Sequence, residues 1–497
     1  MSTTVEHLTL DERSARGVQA RTRAMPDSHA GWKPASDRPD PVALIEEQNL
    51  RRDADLVPVR HGRMMASPFT FYRGAARIMA ADLADTPTSG LQVQLCGDAH
   101  LSNFGAFASP ERNLVFDIND FDETLPGPFE YDVKRLAASL MVAAQNNGCS
   151  ESDARAITKA CVTSYRESMA EFAGLKTLDV WYAHLAEDQI KQSMAAFLSG
   201  ADSNGKGSKK GKRKGNREED GISGLTPKQA KQAQKRFEKN ALKTHSRTSD
   251  QALSKLGEEV DGRYRIVSVP PVIVPVRDLH TTYGVEPGEL EQTVFGLFRD
   301  YRSTLRLDLR QLLQRFEVVD WARKVVGVGS VGTRAFIVLL QGRDAGDPLF
   351  LQVKEATRSV LEGTLRKSAF KQSGERVVQG QRMMQANSDI FLGWSKGVQA
   401  DRYFYWRQLR DMKGSALVEL MAPAALAWYG RTCGWTLARA HARTGDPVSI
   451  SAYLGDDDGF DKSITDFSER YAAQNDQDFA DFAKAIASNR IEAIPDV

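Results

Sequence analysis

Residues 321–342 read WARKVVGVGSVGTRAFIVLLQG, and residues 348–356 read PLFLQVKEA. Both stretches are dense in β-branched and aromatic residues, which favour strands. Inside the first lies GVGSVG, with Gly327, Gly329 and Gly332 in a GxGxxG spacing. Glycines let backbone amides approach phosphate oxygens closely. In a chain with 38 glycines that spacing alone is weak, so the flanking residues decide. A dinucleotide fingerprint needs a helix directly after the glycines. TRAFIVLL follows instead, which is strand. The pattern predicts a glycine hairpin over a nucleotide, and the next strand brings Lys354, flanked by apolar residues. A lysine so placed pairs the α- and β-phosphates of ATP. A carboxylate from the following helix should hold it. Glu375 in GERVVQGQRMM has the better position, Glu362 is second, and Glu355 is too close in sequence.

Working outward, a helical stretch at about 360–386 and the strand DRYFYWRQL (401–409) complete a small β-rich lobe over 316–411. Residues 412–497 read as helices that return to a larger lobe. That larger lobe starts at 45 and runs to 315, mainly helical, with two strand candidates at LQVQLCGDAH (91–100) and NLVFDIND (113–120). The helix EYDVKRLAASLMVAAQNN (130–147) shows apolar residues every three or four positions. The fold class expected is α+β. Residues 1–44, polar and carrying Pro26, Pro34, Pro39 and Pro41, read as a flexible arm. GADSNGKGSKKGKRKGNREEDG (200–221) has almost no apolar residues and reads as a mobile basic insertion. No aromatics are interleaved with its charges, which favours a solvated loop over a nucleic-acid contact.

At 497 residues the chain can bury large cores. Lys plus Arg (66) nearly cancels Asp plus Glu (65), so no global field draws nucleic acid or an anionic membrane. Cys96, Cys149, Cys161 and Cys433 form no CxxC pair. A disulfide framework or structural zinc site is not expected. The opening MSTTVEHLTLDERSARG lacks the apolar segment of a secretory signal, and no membrane span is seen. A cytoplasmic location is the expectation.

The chemistry concentrates in GDAHLSNFG and FDINDFDET. The first holds Asp98 and, five residues on, Asn103; the second offers Asp117, Asp120 and Asp122. Phosphoryl transfer needs a carboxylate near the attacking hydroxyl, and an Asn and an Asp to hold magnesium on the phosphates.

The stretch 97–137, GDAHLSNFGAFASPERNLVFDINDFDETLPGPFEYDVKRLA, resembles the catalytic core of aminoglycoside and choline-type phosphotransferases, which are protein-kinase-like. That family shows His-Gly-Asp-x-x-x-x-Asn, then an Ile-Asp-(Phe/Trp)-x-Asp segment. Twelve residues past its metal Asp comes a Tyr-Asp that opens a helix. Asp132 lies twelve residues after Asp120, so the resemblance selects Asp120 over Asp117 as the metal ligand. It makes Asp98 the catalytic carboxylate, Asn103 a metal ligand and Asp132 a structural acid. It implies ATP and Mg2+ as cofactors, and a hydroxyl-bearing, small-molecule acceptor. Cys96 stands where the family has its histidine. The order also differs, because Asp98 precedes Gly327. GRTCGWTLARAHARTGD (430–446) resembles the helix that leads into the catalytic loop of those enzymes. The resemblance thus implies a bilobal kinase-like fold in circularly permuted order, with His441 in a packing role. RMMASPFTFYRGAA (63–76), LCGDAHLSNFG, FDINDFDETLPGPFEYDVKRLAASL, VGVGSVGTR and LQVKEA together also resemble a bacterial family known as domain-of-unknown-function 2252.

Arg63, Tyr72 and Arg73 fit either an anionic ligand or an anchor for the N-terminal helix on the catalytic lobe, and the anchoring role is the expectation. The rival functions are an AMP-transferase with a flipped nucleotide, a non-catalytic nucleotide-binding module, and a metallophosphoesterase. The last needs more histidine partners than a chain with eight histidines arranges here.

Overall fold

The computed structural model describes residues 7–199, 235, 239, 242–260, 263–279, 287–325, 327–397, 401–409 and 412–495. The basic insertion expected at about 200–221 lies outside them. The fold is α+β, as the sequence predicts. Among the described residues no helix is long and apolar enough to cross a membrane.

Residues 7–44 correct the expectation of a flexible arm, and residues 1–6 lie outside the described ones. Helix α1 (Leu10–Ala20) starts in a capping box in which the Thr9 and Glu12 side chains each take the other's backbone amide. Arg13 pairs with Asp446 at 2.5 Å. A Cβ on Gly17 would stand 2.1 Å from Ser449 O, so the helix can pack this closely only with glycine there. The prolines serve as helix starters: Pro41 opens α2 (Pro41–Asn49) behind the Asp40 cap. Helices α3 (Val57–Met64) and α4 (Pro68–Gly74) follow.

Strands β1 (Gln92–Leu95), β2 (Phe104–Ala108), β3 (Leu114–Ile118) and β4 (Leu125–Pro128) come next. Two antiparallel ladders join them: β1 with β4, and β2 with β3. Leu95 is opposite Leu125 and Phe104 is opposite Ile118. The two connecting loops, 96–103 and 119–124, are therefore forced side by side. Helix α5 (Glu130–Asn146) is buried along most of its length, and α6 (Glu151–Gly174) packs against it.

A six-stranded antiparallel sheet follows, built from β5 (Ile273–Pro275), β6 (Glu317–Lys324), β7 (Ala335–Gln341), β8 (Pro348–Ala356), β9 (Gly393–Lys396) and β10 (Tyr403–Gln408). Its order is β9-β10-β8-β7-β6-β5. Strand alternation divides its residues. Leu351, Val353, Phe404 and Trp406 enter a core with Tyr301, whose ring stacks on Trp406 at 4.4 Å. Gln352, Lys354, Tyr405 and Arg407 point the other way. Helix α7 runs Ser373–Met384, shorter than the expected 360–386. The start of that stretch is held elsewhere: Ser359 Oγ donates to Glu123 O, and the Val360 amide to the Glu123 carboxylate.

Three helices close the chain: α8 (Pro423–Thr444), α9 (Pro447–Leu454) and α10 (Gly459–Ala487). The end of α8 meets β1, where the Gln94 amide donates to Thr444 Oγ1 at 3.2 Å.

Arg38 shows that the described part of the N-terminal stretch is structural. It pairs with Asp82 at 2.6 Å and Asp478 at 2.7 Å, all three nearly buried. Arg38→Ala is expected to destabilise the protein by about 3–5 kcal/mol, because two buried carboxylates lose their cation. Urea unfolding of variant and parent checks this, and a change below about 1 kcal/mol would restore the loose-arm view.

Candidate functional site

The loop after β1 carries Asp98. At Gly97 φ is +86°, and a Cβ there would lie 2.2 Å from Glu123 O, so glycine is required. The Cys96 and Gly97 amides both donate to the Asp132 carboxylate, at 2.8 and 3.0 Å. His441 Nε2 meets the same carboxylate at 3.2 Å, and Tyr165 OH meets His441 Nδ1 at 2.9 Å. Asp132 and His441 are thus buried supports of the loop. Cys96 is also buried; burial first, then Asp132, pushes its thiol well above the ordinary range, so it is not a nucleophile.

Asp98 itself is gripped by Arg135, whose Nε donates to Oδ1 at 2.8 Å. Arg135 also donates to Tyr72 O and lies over the Tyr72 ring at 3.9 Å. Burial raises the Asp98 carboxyl above its usual value, and Arg135 works against that. His100 Nε2 stands 3.7 Å from Asp98 Oδ2. Burial, then Arg73 and Arg135, holds His100 far below its ordinary value, so it is neutral. Asn103 uses Nδ2 on Asp98 O, at 2.8 Å, which leaves Oδ1 as the atom it can offer a cation.

On the neighbouring loop the three aspartates separate cleanly. Asp117 is buried and pairs with Arg439. Asp122 accepts from Lys354 Nζ at 2.6 Å and from Tyr405 OH at 2.6 Å. Burial pushes Asp122 up, but Lys354 and the two hydrogen bonds prevail and hold it below the usual carboxylate range. Asp120 keeps Lys354 only at 3.8 Å. Burial and the Asp122 charge raise its carboxyl. It accepts the Asp122 amide at 3.1 Å and lacks the close cation that Asp122 has, so a bound cation would add to its compensation. Asp120 and Asn103 are hard oxygen donors suited to Mg2+, an ion that takes few protein ligands and fills its shell with water and phosphate oxygens. Among the described residues no group of three or more His, Cys, Asp or Glu side chains is arranged to hold a metal.

Lys354 corrects one expectation. Its carboxylates are Asp122 and Asp120, not Glu375. Glu375 sits half-buried in the first turn of α7. The residue after it makes the connection to the site: buried Arg376 donates to the main-chain oxygens of Asp122, Thr124 and Thr357 at 2.6–2.8 Å.

Two cavities meet here. One, about 420 Å³, is lined by Asp98, His100, Asn103, Asp120, Gly327 and Gly329. The other, about 350 Å³, is lined by Gln352, Lys354, Arg407 and Lys413 together with Asn103, Asp120 and Gly327. Gly327 (φ +66°) and Gly332 (φ +83°) both need the left-handed backbone region, and the loop joins antiparallel β6 and β7. It is fastened from α3 and the segment before it. Arg63 donates to Gly327 O at 2.7 Å, Arg52 to Val331 O, and the Asp53 amide to Gly332 O at 2.7 Å.

The structure thus brings Asp98, Asn103, Asp120, Gly327 and Gly329 to one cavity and Lys354 to its neighbour; Gly332 anchors the glycine loop and Glu375 stands apart. Arg135, Asp122 and Arg376 went unassigned in the sequence. Arg135 was recoverable, since it lies one helical turn after Asp132 and so faces the same loop.

The family described as an uncharacterized protein conserved in bacteria, DUF2252, matches residues 52–219 and 205–485. The chain belongs to this family. The first matched segment contains the Asp98 loop and the second the glycine loop. Comparison with curated proteins and with solved structures gave no match.

Glu123, beside Asp122, gives the DUF2252 site a pH signature. Burial pushes its carboxyl up to about 7 against the pull of Arg376 and the Val360 amide. The folded state keeps the proton longer than the unfolded chain, so the contribution of Glu123 to stability is greatest below about pH 4.5. It is lost as pH rises through about 7, by up to roughly 3 kcal/mol. Glu123→Gln should flatten this decline. Denaturant titrations of both proteins at pH 5 and pH 7.5 check it, and parallel slopes would exclude the assignment.

Proposed function

We propose that this protein is an ATP-dependent phosphotransferase acting on a hydroxyl of a small-molecule acceptor, with a kinase-like site in permuted chain order. The observation that carries the reading is the meeting of Asp98, Asn103, Asp120 and the glycine loop in one cavity that opens onto Lys354.

Chain order supports the permuted reading. In the resembling enzymes a helix leads straight into the catalytic loop. Here the end of α8 is hydrogen-bonded to β1, the strand that enters that loop, and His441 supports the loop through Asp132. The lysine differs from the usual arrangement, since its partner comes from the metal loop and not from a helix. Lys354, Asp122 and Tyr405 act as one unit, so the cation is oriented before any phosphate arrives.

In this reading Lys354 binds the α- and β-phosphates, and Asn103 with Asp120 would hold Mg2+. The ion, when bound, neutralises charge that develops on the phosphates. Asp98 uses Oδ1 on Arg135 and keeps Oδ2 for the acceptor hydroxyl, orienting it and taking its proton.

Incubating the protein with cell extract and γ-labelled ATP, and separately α-labelled ATP, tests the reaction. Label should pass to an extract component from the γ position only. Asp98→Ala should slow turnover by about 10²–10⁴-fold and leave ATP affinity nearly unchanged. Asp120→Ala should damage both, and Lys354→Met should weaken ATP binding. Transfer from the α position would make the enzyme an AMP-transferase. Equal labelling by wild type and Asp98→Ala would remove Asp98 from the mechanism.

A further inference from the structure

The two cavities share five of the residues that line them: Arg73, Asn103, Asp120, Gly327 and Ser330. Three of these already belong to the proposed site. Arg73 does not, and it is the cation of the five. It lies at the end of α4, against the glycine loop, where a Cβ on Gly329 would stand 3.2 Å from Arg73 O.

Arg73 is less satisfied than the cations that hold the two loops in place. Arg135 is bound to Asp98 and Tyr72 O, Lys354 to Asp122, Arg63 to Gly327 O and Arg52 to Val331 O. The nearest carboxylate to Arg73 is Glu419, at 3.8 Å, beyond hydrogen-bond distance. Its Nε is buried and has no hydrogen-bond partner. Its side chain is only 22% exposed, and the Phe69 ring lies 6.0 Å from the guanidinium. A largely buried guanidinium with open donors favours an anion. An anchoring role would leave it paired, as Tyr72 is, whose hydroxyl donates to Arg135 O at 2.8 Å.

We propose that Arg73 is a catalytic residue that binds the γ-phosphoryl group of ATP as it crosses from the Lys354 cavity to the Asp98 cavity. This rests on the phosphotransferase reading. In the step, the acceptor oxygen forms a bond to the γ-phosphorus while the bond from that phosphorus to the β,γ-bridging oxygen breaks. The electron pair of the broken bond leaves with ADP, and the hydroxyl proton goes to Asp98. Charge on the three oxygens of the moving group is then met by Arg73 from the side of α4. Arginines that act this way contribute about 10³–10⁵ in turnover.

The test is the difference between two nucleotides. Full-length wild type, Arg73→Gln and Arg73→Lys are titrated with ADP and with a non-hydrolysable ATP analogue, each with Mg2+, by calorimetry. Arg73→Gln should lose about tenfold in affinity for the analogue, roughly one charged hydrogen bond, and stay within about twofold for ADP. Arg73→Lys should fall between. Slow release of γ-label to water should drop by about 10³-fold in Arg73→Gln. Equal losses for both nucleotides would mean a structural role. Unchanged analogue affinity would mean that Arg73 serves the acceptor or nothing; either result overturns the proposal. Should Arg73→Gln fail to fold, Arg73→Lys decides by the same split. Wild type binding neither nucleotide would instead remove the phosphotransferase reading itself, and this inference with it.

Discussion

One buried carboxylate holds the site together. Asp132, almost fully buried, accepts the amides of Cys96 and Gly97 and meets His441 from α8. Three segments far apart in sequence converge on it: the loop before Asp98, the start of α5 and the end of α8. A carboxylate that accepts two backbone amides fixes the loop more firmly than side-chain packing would, because amide direction is set by the main chain. Gly97 completes the turn, and its position is dictated by Glu123 O on the other loop. Removing either constraint moves Asp98, whatever becomes of Asp98 itself.

Around that fixed point the charges are matched in pairs. Asp98 has Arg135, Asp117 has Arg439, and Asp122 has Lys354. Burying an unpaired ion is expensive, so each pair is what permits the next charge to be near. Two groups at the junction of the cavities are paired only at long range, Asp120 with Lys354 and Arg73 with Glu419, each at 3.8 Å. On the proposed reading, a metal–phosphate ligand supplies a cation to the first and an anion to the second.

The sheet and the two acidic loops were legible because each rests on a local signal. Strand runs flanking GVGSVG predicted a hairpin, and residues 317–324 and 335–341 pair as that requires. The alternation that put Lys354 among apolar residues also placed it on the face opposite Trp406. Its partner was not legible. Asp122 and Glu375 are both acids at plausible positions, and only the register of Lys354 against Tyr405 decides that the carboxylate comes from the 119–124 loop. The N-terminal arm misled for a related reason. Its apolar content is low because ion pairs such as Arg13–Asp446 and Arg38–Asp82 carry much of its contact, and polar composition alone cannot tell these from solvation.

That arm bears on the proposed permutation. In an unpermuted chain the helix equivalent to α8 would continue directly into β1 and hold the catalytic loop through the main chain. Here the chain instead runs on from Thr444 through α9, and the junction with β1 is made by non-covalent contacts. Thr444 takes the Gln94 amide, His441 takes Asp132, and Gly445 packs against Val93. Such a junction opens more easily than a peptide link, since each hydrogen bond contributes only about 0.5–1.5 kcal/mol net. Helix α1 lies directly over the following helix, bound through Arg13 to Asp446 and with the Ser449 hydroxyl donating to Arg13 O. It thereby braces the segment just past the junction. On the permuted reading, the N-terminal helix is the structural compensation for a broken main-chain connection, which is why a sequence poor in apolar residues is nonetheless folded there.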